Sequence, residues 1–335
     1  MLDRILAHAP GDLPARVTRA RILAAFGVPD ECRELVERIV MGDPVGFPLS
    51  DDLLEIVLEA VQFCCRDDHR IRLLQRLGER AHEHATSSRS ASSDVIHAMV
   101  RLALRDYATA HRIVRELAVR GVQGEPVEGM TRMCERYVAP GFPDKDAAKV
   151  FCIGLSKTAT SSLDAALKTL GLRTLHWANP YTKALISDED LFLFDGFSDI
   201  GIACQFERLY DTFPNSRFIY TTRPIEGWAR SIASHYRRVH GVTDVKDLRQ
   251  PAFQQRFNGV AGAAEMNLYG RHDSWEAGYR DFDGRVRRFF ADKPAGTLLE
   301  LAICDGDGWE KLCPFLGTPV PHAPFPLKNK DPGSA

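Results

Sequence analysis

Lysine is absent from the first 144 residues of this 335-residue chain, and no apolar run in it is long enough to cross a membrane. The opening stretch MLDRILAHAPGDLPARVTRARIL scatters charges from Asp3 onward, where a secretory leader needs a continuous apolar segment. The expectation is therefore a cytoplasmic protein without a leader. An excess of one charge is missing too. The formal net charge of -2 argues against wholesale binding of nucleic acid or an anionic membrane, and leaves room for a small, focused anion site. The eight cysteines (Cys32, Cys64, Cys65, Cys134, Cys152, Cys204, Cys304 and Cys313) form no CxxC pair, so they read as reduced, buried thiols and no metal is expected. With 44% hydrophobic and 26% charged residues, these absences belong to an ordinary globular chain with room for a real core, of a length that favours two domains.

What is present divides the chain in two. Residues 1–144 read as helices separated by short breaks: DDLLEIVLEAVQFCC sets Leu53, Ile56, Val57, Ala60 and Val61 on one stripe, and DVIHAMVRLAL and YATAHRIVRELAVRG continue the spacing. HRIRLLQRL at His69 and HRIVRELAV at His111 hint at a tetratricopeptide-like repeat, with an irregular helical bundle as the alternative. The Pro- and Gly-containing VAPGFPDKDAAK marks a boundary. Residues 145–335 then alternate apolar runs with helical patterns: KVFCIGL and a helix from about Ser161, RTLHW and NPYTKALIS, LFLFDGF and CQFERLYDTF, RFIYTTR and PIEGWARSIASHYRRV, TLLELAI and GWEKLCPFL. That alternation predicts an α/β fold, a parallel sheet flanked by helices and preceded by an all-α domain, with binding collected at the carboxyl ends of the strands.

In KVFCIGLSKTATSSLDAALKTLGL, Val150 to Leu155 reads as a buried first strand, and Leu163, Ala166, Leu167 and Leu170 fall at helical spacing before Gly171. Ser156, Lys157, Thr158, Ala159, Thr160, Ser161 and Ser162 thus join a strand end to a helix N-terminus. There, free backbone N–H groups and the helix dipole attract an anion, Lys157 adds a full charge and the hydroxyls offer further donors. The plainer alternative is a polar loop in which Thr160 or Ser161 merely caps the helix. A nucleoside-triphosphatase loop would need GxxxxGK followed by Ser or Thr; Gly154 is followed instead by Leu-Ser-Lys.

LSKTATSSL resembles the phosphosulfate-binding loop of the sulfotransferase superfamily, and RFIYTTRPIEGWARSIASHY resembles that family's site for the donor's 3'-phosphate, met here by Arg223 and Ser231. The second spacing has its own physical sense. Pro224 suits a helix start, and seven residues are almost two turns, so Ser231 returns to the face on which the helix begins. The resemblance covers residues 149–330. It implies a P-loop-type fold and a nucleotide-binding transferase that takes the sulfuryl group from 3'-phosphoadenosine 5'-phosphosulfate, without a metal, to a hydroxyl or amine on a small-molecule or glycan acceptor. Ala159 stands where the family usually carries Gly, Ser162 stands where many members carry an aromatic for the adenine, and the GxxGxWK loop is absent.

The resemblance makes Lys157 the residue that stabilises charge on the leaving oxygen. For the base that takes the acceptor's proton it leaves Asp199 and His176 open, with Asp195 and His235 behind them; Lys328 and Lys330 lie within reach of consideration as donor contacts. The stripe Trp275, Tyr279, Phe282, Val286 and Phe289 reads as helix packing, and Arg285, Arg287 and Arg288 as a solvated face. Two competing functions remain on the sequence: a P-loop small-molecule kinase, and a non-catalytic helical-repeat adaptor with a degenerate nucleotide fold, whose helical domain binds a protein partner.

Overall fold

The computed structural model describes residues 29–41, 51–65, 67–88, 90–256 and 260–328. The readings placed on the first 28 residues and on Lys330 lie outside these. The chain separates into two compact units, 1–142 with 178–185, and 143–177 with 186–335.

The first unit carries helices α1 (Pro29–Met41), α2 (Asp51–Cys64), α3 (Asp67–Ser88), α4 (Ala91–Ala103), α5 (Tyr107–Val119) and α6 (Val127–Tyr137). From α3 to α6 each helix packs on the next, and one stripe of each supplies the core: Leu73 and Leu77, Met99 and Val100, Val114 and Leu117, Met130 and Met133 are all buried. Both HRI stretches lie within these helices. Asp51, opening α2, accepts hydrogen bonds from the Ser90 and Ser93 hydroxyls and faces His84 Nε2 at 3.2 Å, so one carboxylate ties three helical segments.

Residues 178–185 interrupt the second half of the sequence but belong to the helical unit. The helical pattern read in NPYTKALIS does not form. Asn179, buried, accepts from the Tyr181 and Thr182 amides, Lys183 takes φ 58°, and an antiparallel bridge joins Ala178 to Leu185. The Asn side chain followed by Pro180 favours this turn over a helix start. Tyr181 Oη donates to Glu125 at 2.9 Å, Gln62 donates to the Thr182 carbonyl, and Lys183 pairs with Glu55, so the turn is fastened at several points.

The second unit is the predicted α/β domain. It contains β1 (Val150–Cys152), α7 (Thr160–Thr169), β2 (Thr174–His176), α8 (Asp190–Leu193), β3 (Gly196–Ser198), α9 (Ile200–Ala203), α10 (Phe206–Thr212), β4 (Arg217–Thr221), α11 (Ile225–His240), α12 (Pro251–Arg256), α13 (Val260–Glu265), α14 (Trp275–Phe290), β5 (Leu298–Leu301) and α15 (Trp309–Leu316). The strands form one parallel sheet in the order β2-β3-β1-β4-β5. Alternation sorts its two faces. Val150, Cys152 and Ile219 pack against Leu163, Leu167, Trp309 and Leu312 on one side; on the other, the Phe151 ring lies 5.4–5.7 Å from those of Phe197, Phe213 and Phe218.

The apolar run LFLFDGF is shorter as a strand than its composition suggests: LFL belongs to the one-turn α8 and the strand begins at Gly196. A buried lysine explains the break. Lys149, 1% exposed, donates from Nζ to the Phe192 and Phe194 carbonyls at 3.4 and 2.6 Å, satisfying the C-terminal end of that turn. On α14, Trp275, Tyr279, Phe282 and Val286 are buried as read from the stripe, while Arg285 pairs with Glu207, and Arg287 with Asp283 and Glu300. Of the thiols, Cys65, Cys134, Cys152 and Cys313 are buried, Cys204 is half-buried and Cys304 is exposed. Among the described residues no helix is long and apolar enough to cross a membrane.

Candidate active site

The carboxyl ends of four adjacent strands bring the predicted residues together. β1 runs into the Lys157 loop, β2 ends on His176, β3 is followed at once by Asp199, and β4 leads to Arg223. In a parallel sheet this edge is where ligands bind.

The loop after β1 is held in a conformation its residues do not favour. Lys157 has φ 72° and Ala159 φ 68°, both left-handed and both without glycine's freedom. Ala159 therefore does occupy the backbone conformation that a Gly would supply. It is also the N-cap residue of α7, which has no side-chain cap, so neither Thr160 nor Ser161 serves as the simple cap of the plainer alternative. An uncapped helix start leaves its N–H groups available to an anion, and alternating left-handed residues turn backbone amides toward a common concavity.

The hydroxyls are oriented differently from the sequence expectation of a ring of phosphate donors. Thr158, fully buried, donates to the Leu155 carbonyl at 2.6 Å and lies 2.7 Å from Thr221 Oγ1 on β4, so its side chain is a strut inside the sheet. Ser162 Oγ, also buried, accepts from the Lys328 amide at 2.9 Å, which brings Lys328 to the loop through its backbone. Ser161 Oγ meets His176 Nε2 at 3.2 Å and Ser156 Oγ donates to Asp199 Oδ1 at 3.4 Å. Thr160 is buried at the helix start. An anion at this loop would therefore rest on the backbone amides and Lys157 more than on the hydroxyls.

Gly154 makes the Thr158–Thr221 strut possible. A β-carbon there would lie 1.7 Å from Thr221 Oγ1 and 2.7 Å from Thr158 Oγ1. Gly154→Ala is expected to destabilise the domain by about 1–3 kcal/mol, the usual cost of overpacking, read as a lower denaturant midpoint with an unchanged slope. An unchanged midpoint would show that the strut carries no stability.

The second predicted element touches the first. Arg223 Nη1 donates to the Lys157 carbonyl at 3.3 Å, and the buried Trp228 donates from Nε1 to the Ser156 carbonyl at 2.9 Å. Tyr279 Oη holds the backbone of Arg223 from both sides, donating to its carbonyl at 2.9 Å and receiving its amide at 3.3 Å. Pro224 precedes α11 directly, and Ser231 lies two turns along it, half-buried.

The four base candidates separate. Asp195 is committed to Arg173, which grips both carboxylate oxygens at 3.0 Å. His176 is held by Ser198 at Nδ1 (2.8 Å) and lies 3.7 Å from Asp199 Oδ2 through Nε2. Asp199 adopts φ 95° and ψ 173°, a region essentially reserved for glycine, while its Oδ1 receives the Ile200 amide at 2.6 Å. Such strain persists only where the surroundings impose it, and it marks Asp199 out from the other three. His235 is half-buried with its Nδ1 lacking a hydrogen-bond partner among the described residues; burial lowers its affinity for a proton, the Lys157 and Arg238 charges lower it further, and Asp199 works the other way.

Two groups join this cluster that the sequence did not flag. Glu265, at the end of α13, is buried, accepts the Tyr236 hydroxyl, and is pushed well above the usual carboxylate range by burial and then by the Asp199 charge. Tyr269, fully buried in the π-helical turn Met266–Gly270, is raised by burial and then by Glu265. A π turn beside a carboxylate cluster is a frequent mark of a functional site. Among the described residues no cluster of His, Cys, Asp and Glu is arranged to hold a metal ion.

The carboxyl end of the parallel sheet thus collects a lysine loop, an arginine and a strained aspartate. The family model described as Sulfotransferase domain matches residues 149–333, more than half of the chain, and the chain belongs to that family. It is also similar to Ava biosynthesis cluster protein M of Aspergillus versicolor, with 26% identity over 215 residues that make up 53% of this chain and 79% of that protein.

Proposed function

We propose that this domain moves the sulfuryl group of 3'-phosphoadenosine 5'-phosphosulfate to a hydroxyl or amine of a small-molecule or glycan acceptor. The observation that carries the reading is the contact between Arg223 Nη1 and the Lys157 carbonyl. It sets Arg223 beside the Lys157 loop, which supports a ligand with phosphates on both its 3' and 5' sides. The left-handed loop, the start of α7 and Lys157 fit the 5' end; Arg223 with Ser231 fits the 3'-phosphate, the guanidinium as a fork and the hydroxyl as a further donor.

The bound donor supplies the sulfuryl group, and the rest falls to the protein. Lys157 and the loop amides stabilise the charge that develops on the leaving oxygen. Asp199 takes the acceptor's proton and becomes neutral, with His176 beside it to orient the carboxyl group and pass that proton on. The Ser156–Asp199 hydrogen bond links the loop to the base, so both halves of an in-line displacement are set by one segment. The name of the fungal relative puts that protein in a biosynthesis cluster, which favours a small-molecule acceptor here. For the helical unit we propose a protein partner.

Calorimetry checks the donor. 3'-Phosphoadenosine 5'-phosphate is expected to bind at least about tenfold more tightly than adenosine 5'-monophosphate, the equivalent of about 1.4 kcal/mol for the 3'-phosphate. Radiolabelled donor mixed with candidate acceptors should then yield a labelled product. Magnesium-dependent ATP turnover with no preference for the 3'-phosphorylated nucleotide would replace this reading with a kinase, and no nucleotide binding at all would replace it with the adaptor.

A further inference from the structure

On α11, almost two turns beyond Arg223, Arg230 is exposed and, among the described residues, makes no hydrogen bond or ion pair. Its sequence offers a partner: Glu226 stands four positions earlier, the spacing at which opposite charges meet on a helix. The guanidinium lies elsewhere. A β-carbon on Gly227 would be 3.6 Å from Arg223 Nε and 4.0 Å from Arg230 Nη2, so both guanidinium groups converge on the one residue of this turn that has no side chain. Two like charges turned toward one point, with a carboxylate passed over, repel each other until an anion comes between them. Gly227 leaves the room for it.

We propose that Arg230 is a specificity-determining residue that completes a two-guanidinium clamp with Arg223 for the 3'-phosphate of the donor. The inference rests on the sulfotransferase reading and extends it: a fork from each side grips a dianion that Arg223 and Ser231 by themselves would hold less tightly. Gly227 is part of the device, because any side chain there enters the space between the two forks.

Titration of the full chain with 3'-phosphoadenosine 5'-phosphate and with adenosine 5'-monophosphate separates this idea from the broader one. Arg230→Ala is expected to weaken binding of the 3'-phosphorylated nucleotide about tenfold, a loss of about 1.4 kcal/mol, and to leave the monophosphate within about twofold. Because Arg230 is exposed and unpartnered, its thermal midpoint should not move. Gly227→Leu, which raises helix propensity, should give the same selective loss without loss of stability. A wild-type preference for the 3'-phosphate that survives both substitutions overturns the clamp and leaves the sulfotransferase reading standing. Equal weakening of both nucleotides overturns it as well, and a wild type without any preference overturns both.

Discussion

Lys157→Ala is expected to lower the rate of sulfuryl transfer about 10²–10³-fold, the usual loss when one preorganised donor to a developing charge is removed. The structure allows a sharper version. Lys157 holds φ 72°, where a side chain costs about 1–3 kcal/mol. Lys157→Gly therefore removes the charge and the strain together. Its folding stability should equal or exceed that of the parent, because relieved strain outweighs the extra freedom glycine gives the unfolded chain, while transfer falls as far as in the alanine variant. Rate and denaturant midpoint moving in opposite directions is a result that a purely structural lysine does not produce. Transfer that survives either substitution would sink the proposed mechanism.

Asp199→Asn should be the other severe change, costing about 10²–10⁴-fold in transfer, the range for loss of a general base. Asparagine tolerates positive φ better than most side chains and keeps an oxygen for the Ile200 amide, so the start of α9 should survive. The informative readout is the pH profile of kcat/KM. A base must be unprotonated to act, so the parent should lose activity toward acid, and that limb should be absent from the residual activity of the variant. If Asp199→Asn stays within tenfold of the parent and retains its acid limb, while His176→Gln loses both, the proton goes to the imidazole and the roles exchange.

The legible part of this molecule was whatever depends on neighbours in sequence. The Lys157 loop and Arg223 each stand where an apolar run turns into a helix, and that local grammar placed both at strand ends; the sheet's parallel order then put those ends next to each other. What the hydroxyls do was not legible. Thr158 finds Thr221 and Ser162 finds the Lys328 amide, partners 63 and 166 positions away, so a cluster that reads as phosphate donors is largely wired into the protein. Glu265 escaped notice for the same reason, since nothing in AAEMNLYG says that α9 and α11 will bury it. LFLFDGF misled through composition, because a strand and a buried helical turn look alike over four apolar residues. The decision belonged to Lys149, whose ammonium needed the carbonyls of that turn.

Residues 178–185 have a bearing on how such a chain can be divided. A domain joined to another by a single crossing of the chain can be gained or shed by one recombination event. Here the transferase sequence carries a stitch of eight residues that folds with the other unit. Severing the gene at the junction after Phe142 would leave the helical part missing a piece and the remainder trailing a Tyr181 and an Asn179 with no home. No single cut through the chain therefore yields both units whole.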